Sequence, residues 1–96
     1  MVVKIAFDAD KDEVNRFKHR LPLAFGKRVL TADHCVIVET FRIGDEEERL
    51  KAIGVVDGKL YTAVHVWRET TIRMISVRRS NANEQRLYDR DTSRSG

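Results

Sequence analysis

The sequence predicts an α+β domain with two N-terminal helices, a four-stranded antiparallel sheet and a C-terminal helix. Apolar residues recur at helical spacing before residue 30, and from Cys35 onward they follow the period of two that is typical of strands. The pair Asp57-Gly58 is a strong hairpin signal within the strand-rich region. We expect the helices to cover one face of the sheet and leave the other free for function.

The N-terminal third is predicted to be mainly helical. Residues 2–7 allow a short strand, and Asp8 or Asp10 can cap a first helix that runs to about His19. The apolar stripe of this helix consists of Val14, Phe17 and Leu21. A second helix is expected over residues 22–30, with its proline in the first turn.

The remainder is predicted to form the sheet and the last helix. The strands are expected over residues 35–43, 50–56, 59–67 and 71–78. Ser80 can cap a helix that ends near residue 90. We therefore predict a single domain over residues 1–90 and a flexible polar tail over residues 91–96.

Composition and charge narrow the possible classes of protein. The single cysteine, Cys35, excludes a disulfide framework within the chain, and no apolar run is long enough to cross a membrane, so we expect a cytoplasmic location. The net charge of +3 is confined to residues 68–96, where seven arginines face four acidic residues. Arginine favours forked recognition of phosphate or carboxylate, although a mild surplus of this size also serves solubility.

Alternation along the strands suggests which side chains lie on the free face. In residues 59–67 one set, Leu60, Thr62, Val64 and Val66, is typical of a core, whereas the other, Tyr61, Ala63, His65 and Trp67, is mixed. We expect the free face to show Arg49, Lys51, His65 and Trp67 with one late arginine. Arg73 and Arg78 are five residues apart, so strict alternation separates them unless a bulge intervenes. Such a face suits RNA, although the aromatic rings could instead cover the core edge.

Residues 7–88 resemble the BrnT family of bacterial toxins, within the RelE-like ribonuclease group. The matching residues are Phe7, Asp8, Lys11, Asn15, Lys18, His19, Glu48, Arg49, Gly54, the run Ile72–Arg78, Glu84 and Tyr88. Three positions depart from the family pattern. Phe7 stands for its usual Trp, Arg20 for a Gly after Lys-His, and Val77 for an Ala. Arg20 makes the end of the first helix uncertain more than it affects the chemistry.

This resemblance implies a ribonuclease toxin that cleaves mRNA and arrests translation. It also implies a BrnA-like antitoxin with a ribbon-helix-helix DNA-binding part, and binding of the complex to operator DNA to repress its own operon. A toxin dimer is left open. No cofactor or metal ion is expected, and no glycine-rich phosphate loop or zinc-ligand spacing occurs in the chain.

RNA cleavage by the substrate's own 2′-hydroxyl requires proton transfer and stabilisation of phosphorane charge. The residues expected to be catalytic are Lys18, His19, Arg49, Arg73, Arg78 and Tyr88, and those expected to bind substrate are Lys51, His65 and Trp67. The arginines suit charge stabilisation, because guanidinium stays charged and forks onto phosphate oxygens. His19 is the first choice for acid–base work, followed by Tyr88; His65 and Glu48 are further candidates.

Structural roles compete with these assignments. Lys18 and His19 could complement a helix dipole, Arg73 could pair with Glu84, and Tyr88 could be a half-buried anchor. Arg49 could likewise pair with nearby acidic residues. Two other functions compete with the toxin: a non-catalytic nucleic-acid-binding or co-repressor module, and a protein-binding subunit that uses the edge near Trp67.

Overall fold

The computed structural model describes residues 4–40 and 48–95, with side chains to residue 93. Within these residues the chain forms three α-helices and a five-stranded mixed sheet. The elements in chain order are β1 (Lys4–Ala6), α1 (Ala9–His19), a 3-10 turn (Leu23–Phe25), α2 (Gly26–Leu30), β2 (Cys35–Thr40), β3 (Arg49–Val56), β4 (Lys59–Arg68), β5 (Thr71–Arg79) and α3 (Ala82–Ser95).

The sheet differs from the predicted one by an added edge strand. Its order is β1-β5-β4-β3-β2, in which β2 to β5 form the expected antiparallel meander. The N-terminal strand β1 pairs in parallel with the first three residues of β5. The prediction of a four-stranded, wholly antiparallel sheet was therefore wrong, because β5, the last strand of the meander, runs alongside β1 in the same direction and adds it as a fifth, parallel strand. The last part of the strand predicted over residues 35–43 lies outside the described residues.

Helix α1 begins and ends as its terminal residues dictate. The Asp8 carboxylate accepts a hydrogen bond of 2.7 Å from the Asp10 N–H and so caps the helix. At the other end Arg20 takes a left-handed conformation with φ of 60°, and its N–H bonds the Arg16 carbonyl. This is the position where helices prefer glycine, so Arg20 closes the helix at the predicted place at some conformational cost.

The second predicted helix is shorter than expected. Pro22 keeps an extended backbone, with ψ of 151°, and a 3-10 turn separates it from the five-residue helix α2. Gly54 on β3 allows α2 to approach closely, because a Cβ there would lie 2.8 Å from the Val29 carbonyl oxygen.

The Asp57-Gly58 hairpin is confirmed: both residues have positive φ, as a tight two-residue turn requires.

The core lies between α2, the 3-10 turn and one side of the sheet. Its buried residues are Leu23, Val29, Ala52, Val56, Ala63, Ile72, Met74 and Val77. We call this side of the sheet the core side. Since neighbouring residues in a strand point to opposite sides, Lys51, Thr62 and Arg78 lie on the other side, which α3 partly covers, and we call it the α3 side.

The predicted assignment of the two faces of β4 was wrong. Ala63 is fully buried in the core and Tyr61 packs against it, so the mixed set of side chains faces the core. Leu60, Thr62 and Val66 are also buried, although they lie on the other side. Both sides of this strand carry buried residues, and for that reason hydrophobic alternation does not identify its core side.

Two further predictions about the helices need correction. Of the predicted apolar stripe, Val14 and Phe17 are exposed, whereas Leu21, which follows the end of α1, packs against the core. Helix α3 is capped by Asn81 instead of Ser80, and it continues to Ser95, past the expected end near residue 90. The single domain over residues 1–90 and the flexibility of residues 91–96 stay predictions.

Candidate functional site

A bulge in β5 places two of the predicted arginines on the same side of the sheet. Arg78 lies opposite Thr62 and Arg73 lies opposite Val66, both on the α3 side. The pairing register shifts by one residue between Val64 and His65, which leaves Ile75 as the extra residue of β5. Strict alternation would place two residues five apart on opposite sides of the sheet. The bulge shifts the alternation by one residue, and Arg73 and Arg78 therefore lie on the same side.

A cationic pocket of about 210 Å³ opens on the α3 side. Its lining residues are Thr40, Arg49, Lys51, Val64, Ile75, Ser76 and Arg78. Three of the predicted site residues, Arg49, Lys51 and Arg78, therefore converge from strands β3 and β5. Three cations around one small pocket favour an anionic ligand.

The Glu84 carboxylate of α3 holds two of these cations in place. Both terminal nitrogens of Arg78 donate to it at 2.7 Å, and the Lys51 ammonium donates at 3.0 Å. Thr62 Oγ1 and the Asn81 N–H donate to the same carboxylate at 2.9 Å. Glu84 is 1% exposed. Its buried carboxylate therefore fixes the positions of the Arg78 and Lys51 side chains.

These hydrogen bonds also keep Glu84 charged. Burial alone would raise the pKa of its carboxyl, but the donors from Arg78, Asn81, Lys51 and Thr62 outweigh burial and lower the pKa to about 2. The positioning role of Glu84 toward Arg78 and Lys51 was not predicted from the sequence, where pairing with Arg73 was one structural alternative. The available signal was the spacing of Asn81 and Glu84, which form a reciprocal capping box at the start of α3.

A second groove, of about 350 Å³, runs between α1 and β5 and adjoins the cationic pocket. It is lined by Asp10, Lys11, Val14, Asn15, Lys18, His19, Ile75 and Ser76. Ile75 and Ser76 line both cavities, so the two adjoin at β5, and we refer to them together as the depression. Lys18 and His19 line this groove and therefore lie beside the cationic pocket.

Asn15 holds α1 against the part of β5 that β1 leaves unpaired. Its side-chain amide donates to the Val77 carbonyl at 2.9 Å, and its carbonyl oxygen accepts from the Val77 N–H at 3.1 Å. The amide group thereby takes the place of a neighbouring strand. A third bond, to the Leu21 carbonyl at 2.8 Å, ties the same side chain to the connection after α1.

Among the titratable side chains that line this depression, His19 is the best suited to acid–base chemistry. Burial, the positive charge of Arg78 and that of Lys18 all lower the pKa of its imidazole. The ring is therefore mostly neutral at pH 7 and can accept a proton. A neutral imidazole within reach of a substrate hydroxyl can act as a general base.

Arg73 lies on the α3 side of β5 but does not pair with Glu84. Within the described part of the chain it makes no hydrogen bond or ion pair, and Arg78 and Lys51 occupy the Glu84 carboxylate instead. The structural alternative of an Arg73–Glu84 salt bridge does not occur. Its place is taken by Arg78, which lies nearer to the start of α3.

The remaining predicted site residues lie away from the pocket. Tyr88 packs edge-on against His34, and burial followed by the charges of Cys35 and Asp89 raises its pKa, so nothing there favours ionisation. His65 is 1% exposed on the core side, and burial lowers its pKa despite a hydrogen bond to the Ala63 carbonyl. Its placement on an open face was wrong.

Trp67 is exposed but lies opposite core residue Ile72, on the core side of the sheet. It borders a separate cavity with Leu50 and two glutamates, of which Glu48 has a raised pKa because Glu39 hydrogen-bonds and repels it. Trp67 and Glu48 are therefore separated by the sheet from the arginines with which they were grouped.

The described residues contain no group of three or more His, Cys, Asp or Glu side chains arranged to hold a metal ion. None of the helices in residues 4–40 and 48–95 combines the length and apolar content needed to span a membrane.

The fold and the depression define a small α+β protein with a pocket lined by cationic side chains on its sheet. Comparison with protein families identifies it further. Residues 7–84 match the family described as the ribonuclease toxin BrnT of type II toxin–antitoxin systems, and the chain belongs to that family. The family implies an antitoxin partner and an RNA substrate. Comparison with curated proteins finds no match.

Proposed function

We propose that this chain is an endoribonuclease toxin that cleaves mRNA without a metal ion and arrests translation and growth. The observation that carries the proposal is the position of neutral His19 beside the pocket formed by Arg49, Lys51 and Arg78. The pocket supplies positive charge for a scissile phosphate, and the imidazole supplies a proton acceptor.

The reaction uses the 2′-hydroxyl of the RNA as nucleophile. His19 removes the 2′ proton, the 2′-oxygen forms a bond to phosphorus, and the bond from phosphorus to the 5′-oxygen breaks. The leaving 5′-oxygen takes up a proton from water, and His19 returns the 2′ proton to solvent, which gives a 2′,3′-cyclic phosphate and a 5′-hydroxyl end. Arg49, Arg73 and Arg78 offset the charge that develops on the phosphorane, and Lys18 and Lys51 hold the phosphate. Tyr88, His65 and Trp67 have no part in this scheme, because Tyr88 packs against His34 and the other two lie on the core side of the sheet, opposite to the arginines.

The wider system follows from the family. We propose that a BrnA-like antitoxin with a ribbon-helix-helix part neutralises the toxin and that their complex binds operator DNA to repress its own operon. The toxin's fold is taken to be RelE-like, and a toxin dimer fits within such a complex. These parts of the proposal rest on the family match over residues 7–84.

The test compares two adjacent arginines that lie on opposite sides of β5. Arg78 faces the pocket, whereas Arg79 lies over the Tyr61 ring at 5.5 Å on the core side. Arg78→Ala and Arg79→Ala remove the same charge. On induction in bacteria at matched soluble levels, we expect wild type and Arg79→Ala to arrest growth and Arg78→Ala to permit it.

Purified protein and a fluorescent RNA give the second readout. His19→Ala should reduce cleavage by roughly 10²–10⁴-fold while antitoxin binding is retained. Arg78→Lys keeps the positive charge next to Glu84 and should retain part of the activity. It serves as the control for loss of folding in Arg78→Ala. Equal cleavage by wild type and folded His19→Ala would contradict the mechanism. A folded wild type that neither arrests growth nor cleaves RNA would contradict the proposed function.

One observation favours the alternative of a non-catalytic nucleic-acid-binding or co-repressor module. Both terminal nitrogens of Arg78 already donate to Glu84. Arg78 can therefore contribute its positive charge to a ligand more readily than a forked pair of hydrogen bonds. A binding module needs only the charge. It predicts RNA affinity that falls with Arg49→Ala and Arg78→Ala and is unchanged by His19→Ala.

A further inference from the structure

The groove between α1 and β5 has a feature that folding does not explain. Val14 is 51% exposed, although it lines a concave surface together with Ile75. Helix α1 is held to the sheet by the polar side chain of Asn15, its one buried residue, so Val14 is not needed for packing. An apolar floor left open in a groove is a surface on which a flat apolar group can rest.

The rim of this groove has the charges that a nucleic-acid strand requires. Lys11 and Lys18 lie seven residues apart, two turns along the same side of α1, and both line the groove. Neither makes an ion pair within the described part of the chain, so both ammonium groups are available to phosphates. Asp10 adds one carboxylate at the groove's end, which repels phosphate but accepts hydrogen bonds from base amino groups.

The groove is also in the right place. It shares Ile75 and Ser76 with the cationic pocket, so a strand whose phosphate sits in the pocket continues into the groove by crossing Ser76. Its volume of about 350 Å³ is at the lower end of the range for small-ligand sites, about 300–1,000 Å³, and suits one nucleotide better than several.

We propose that this groove is a base-binding subsite for the nucleotide next to the scissile phosphate. The base rests on Val14 and Ile75, the adjoining phosphate contacts Lys11, and Asp10 accepts an N–H from the base edge. The subsite deepens the proposed function and rests on it for the identity of the ligand as RNA. It makes Asp10 a specificity-determining residue that favours bases with an exocyclic amino group, such as cytosine, over uracil.

Binding to a 2′-O-methyl RNA oligonucleotide, which lacks the nucleophile, tests the subsite without cleavage. Val14→Asp should weaken binding roughly tenfold, because it places a charge where the base rests. Phe17→Asp is the matched control: Phe17 is 79% exposed on the same helix but does not line the groove. All the side chains changed here are exposed, so the variants are expected to fold.

Salt dependence and base preference test the two charged residues. Lys11→Ala should lower the slope of log affinity against log salt by about 0.7, whereas Lys27→Ala, outside the groove, should leave it unchanged. Wild type should bind an oligonucleotide with cytosine at the subsite more tightly than one with uracil. Asp10→Asn should reduce this preference, since an amide retains its size but loses the charge.

The outcomes separate the subsite from the proposed reaction. Binding that depends on Val14, Lys11 and Asp10 in a protein that cleaves no RNA would support the subsite and contradict the ribonuclease. Cleavage by the wild type, with binding and base preference unchanged in all three variants, would overturn the subsite and leave the ribonuclease intact. Failure to bind any oligonucleotide would overturn both.

Discussion

At the residue scale, His19 shows how position changes the chemistry of a side chain. The imidazole is partly buried at the end of α1, and Arg78 and Lys18 add positive charge around it. All three effects disfavour the protonated ring. A histidine that only complemented the helix dipole would be stabilised in its charged form instead, so its surroundings favour use as a base.

This electrostatic coupling predicts the pH dependence of cleavage. Activity should fall as pH decreases through the pKa of His19, which lies below 6.5. Arg78→Lys keeps the nearby charge and should leave the acid limb in place. Lys18→Ala removes a repelling charge, raises the pKa of His19 and should move the acid limb to higher pH. NMR titration of the ring protons and the pH profile of cleavage measure the two shifts, and an acid limb that stays in place when the NMR pKa moves would exclude His19 as the base.

The site residues differ in how far sequence alone could identify them. Lys18, His19, Arg49 and Arg78 came from the family resemblance and the chemistry of RNA cleavage, and the structure brings them to one depression. The resemblance also suggested Tyr88, which lies with His34 instead. A motif specifies which residues occur, whereas their distance across the sheet depends on register and twist.

At the element scale, one amide side chain ties α1 to the sheet, while the Asp12 carboxylate of the same helix accepts a hydrogen bond of 2.7 Å from the Leu23 N–H of the 3-10 turn. Asn15 bonds both main-chain groups of Val77 on the stretch of β5 that β1 leaves open. A β5 edge without this amide would present unpaired N–H and C=O groups. Since α1 also carries Lys18 and His19, the same contact positions part of the site.

Asn15→Ala should therefore destabilise the fold and disturb the site together. Loss of the bonds to Val77 should cost about 1–3 kcal/mol in the free energy of unfolding. Urea denaturation measures this cost, and hydrogen exchange should show a less protected Val77 amide. Asn83→Ala, on the exposed face of α3, serves as the control. Equal unfolding midpoints for the two variants would show that α1 is held by other contacts.

The bulge in β5 is the element-scale feature with the largest effect on function. One extra residue, Ile75, turns Arg73 to the side that carries Arg78. The spacing of Arg73 and Arg78 requires a bulge to bring them together, but no residue of β5 marks its position. Bulges form where the pairing of two whole strands requires them, and local sequence therefore gives little sign of them.

At the scale of the whole molecule, Glu84 joins four elements. It lies on α3 and bonds Lys51 of β3, Thr62 of β4 and Arg78 of β5. Helix α3 is otherwise rich in polar residues. Much of its attachment to the sheet therefore depends on one charged carboxylate.

This arrangement predicts loss of stability in acid. The pKa of Glu84 is about 2 in the folded protein, against 4.5 for an ordinary glutamate, so folding favours its charged form. The stabilisation is fully present above pH 4.5 and is lost as pH falls towards 2. It amounts to roughly 3 kcal/mol.

Glu84→Gln should reduce the free energy of unfolding at pH 7 and flatten its dependence on pH between about 4.5 and 2. Chemical denaturation at a series of pH values measures both effects. Glu13→Gln, at an exposed position of α1, should leave the acid limb as in the wild type. If Glu84→Gln had the same acid limb as the wild type, other carboxyl groups would be responsible for acid unfolding.

The sequence by itself determined the local structure: the helix from Asp8 to His19, the Asp57-Gly58 hairpin, the antiparallel meander and the family to which the chain belongs. Caps, turns and motifs act through residues close together in the chain, so a short stretch is sufficient to specify them. Only the tertiary structure decided which side of β4 faces the core, where β1 pairs and which acid holds Arg78. Those outcomes depend on how distant segments share burial and hydrogen bonds, and hydrophobic periodicity carries no such information when both sides of a sheet are covered.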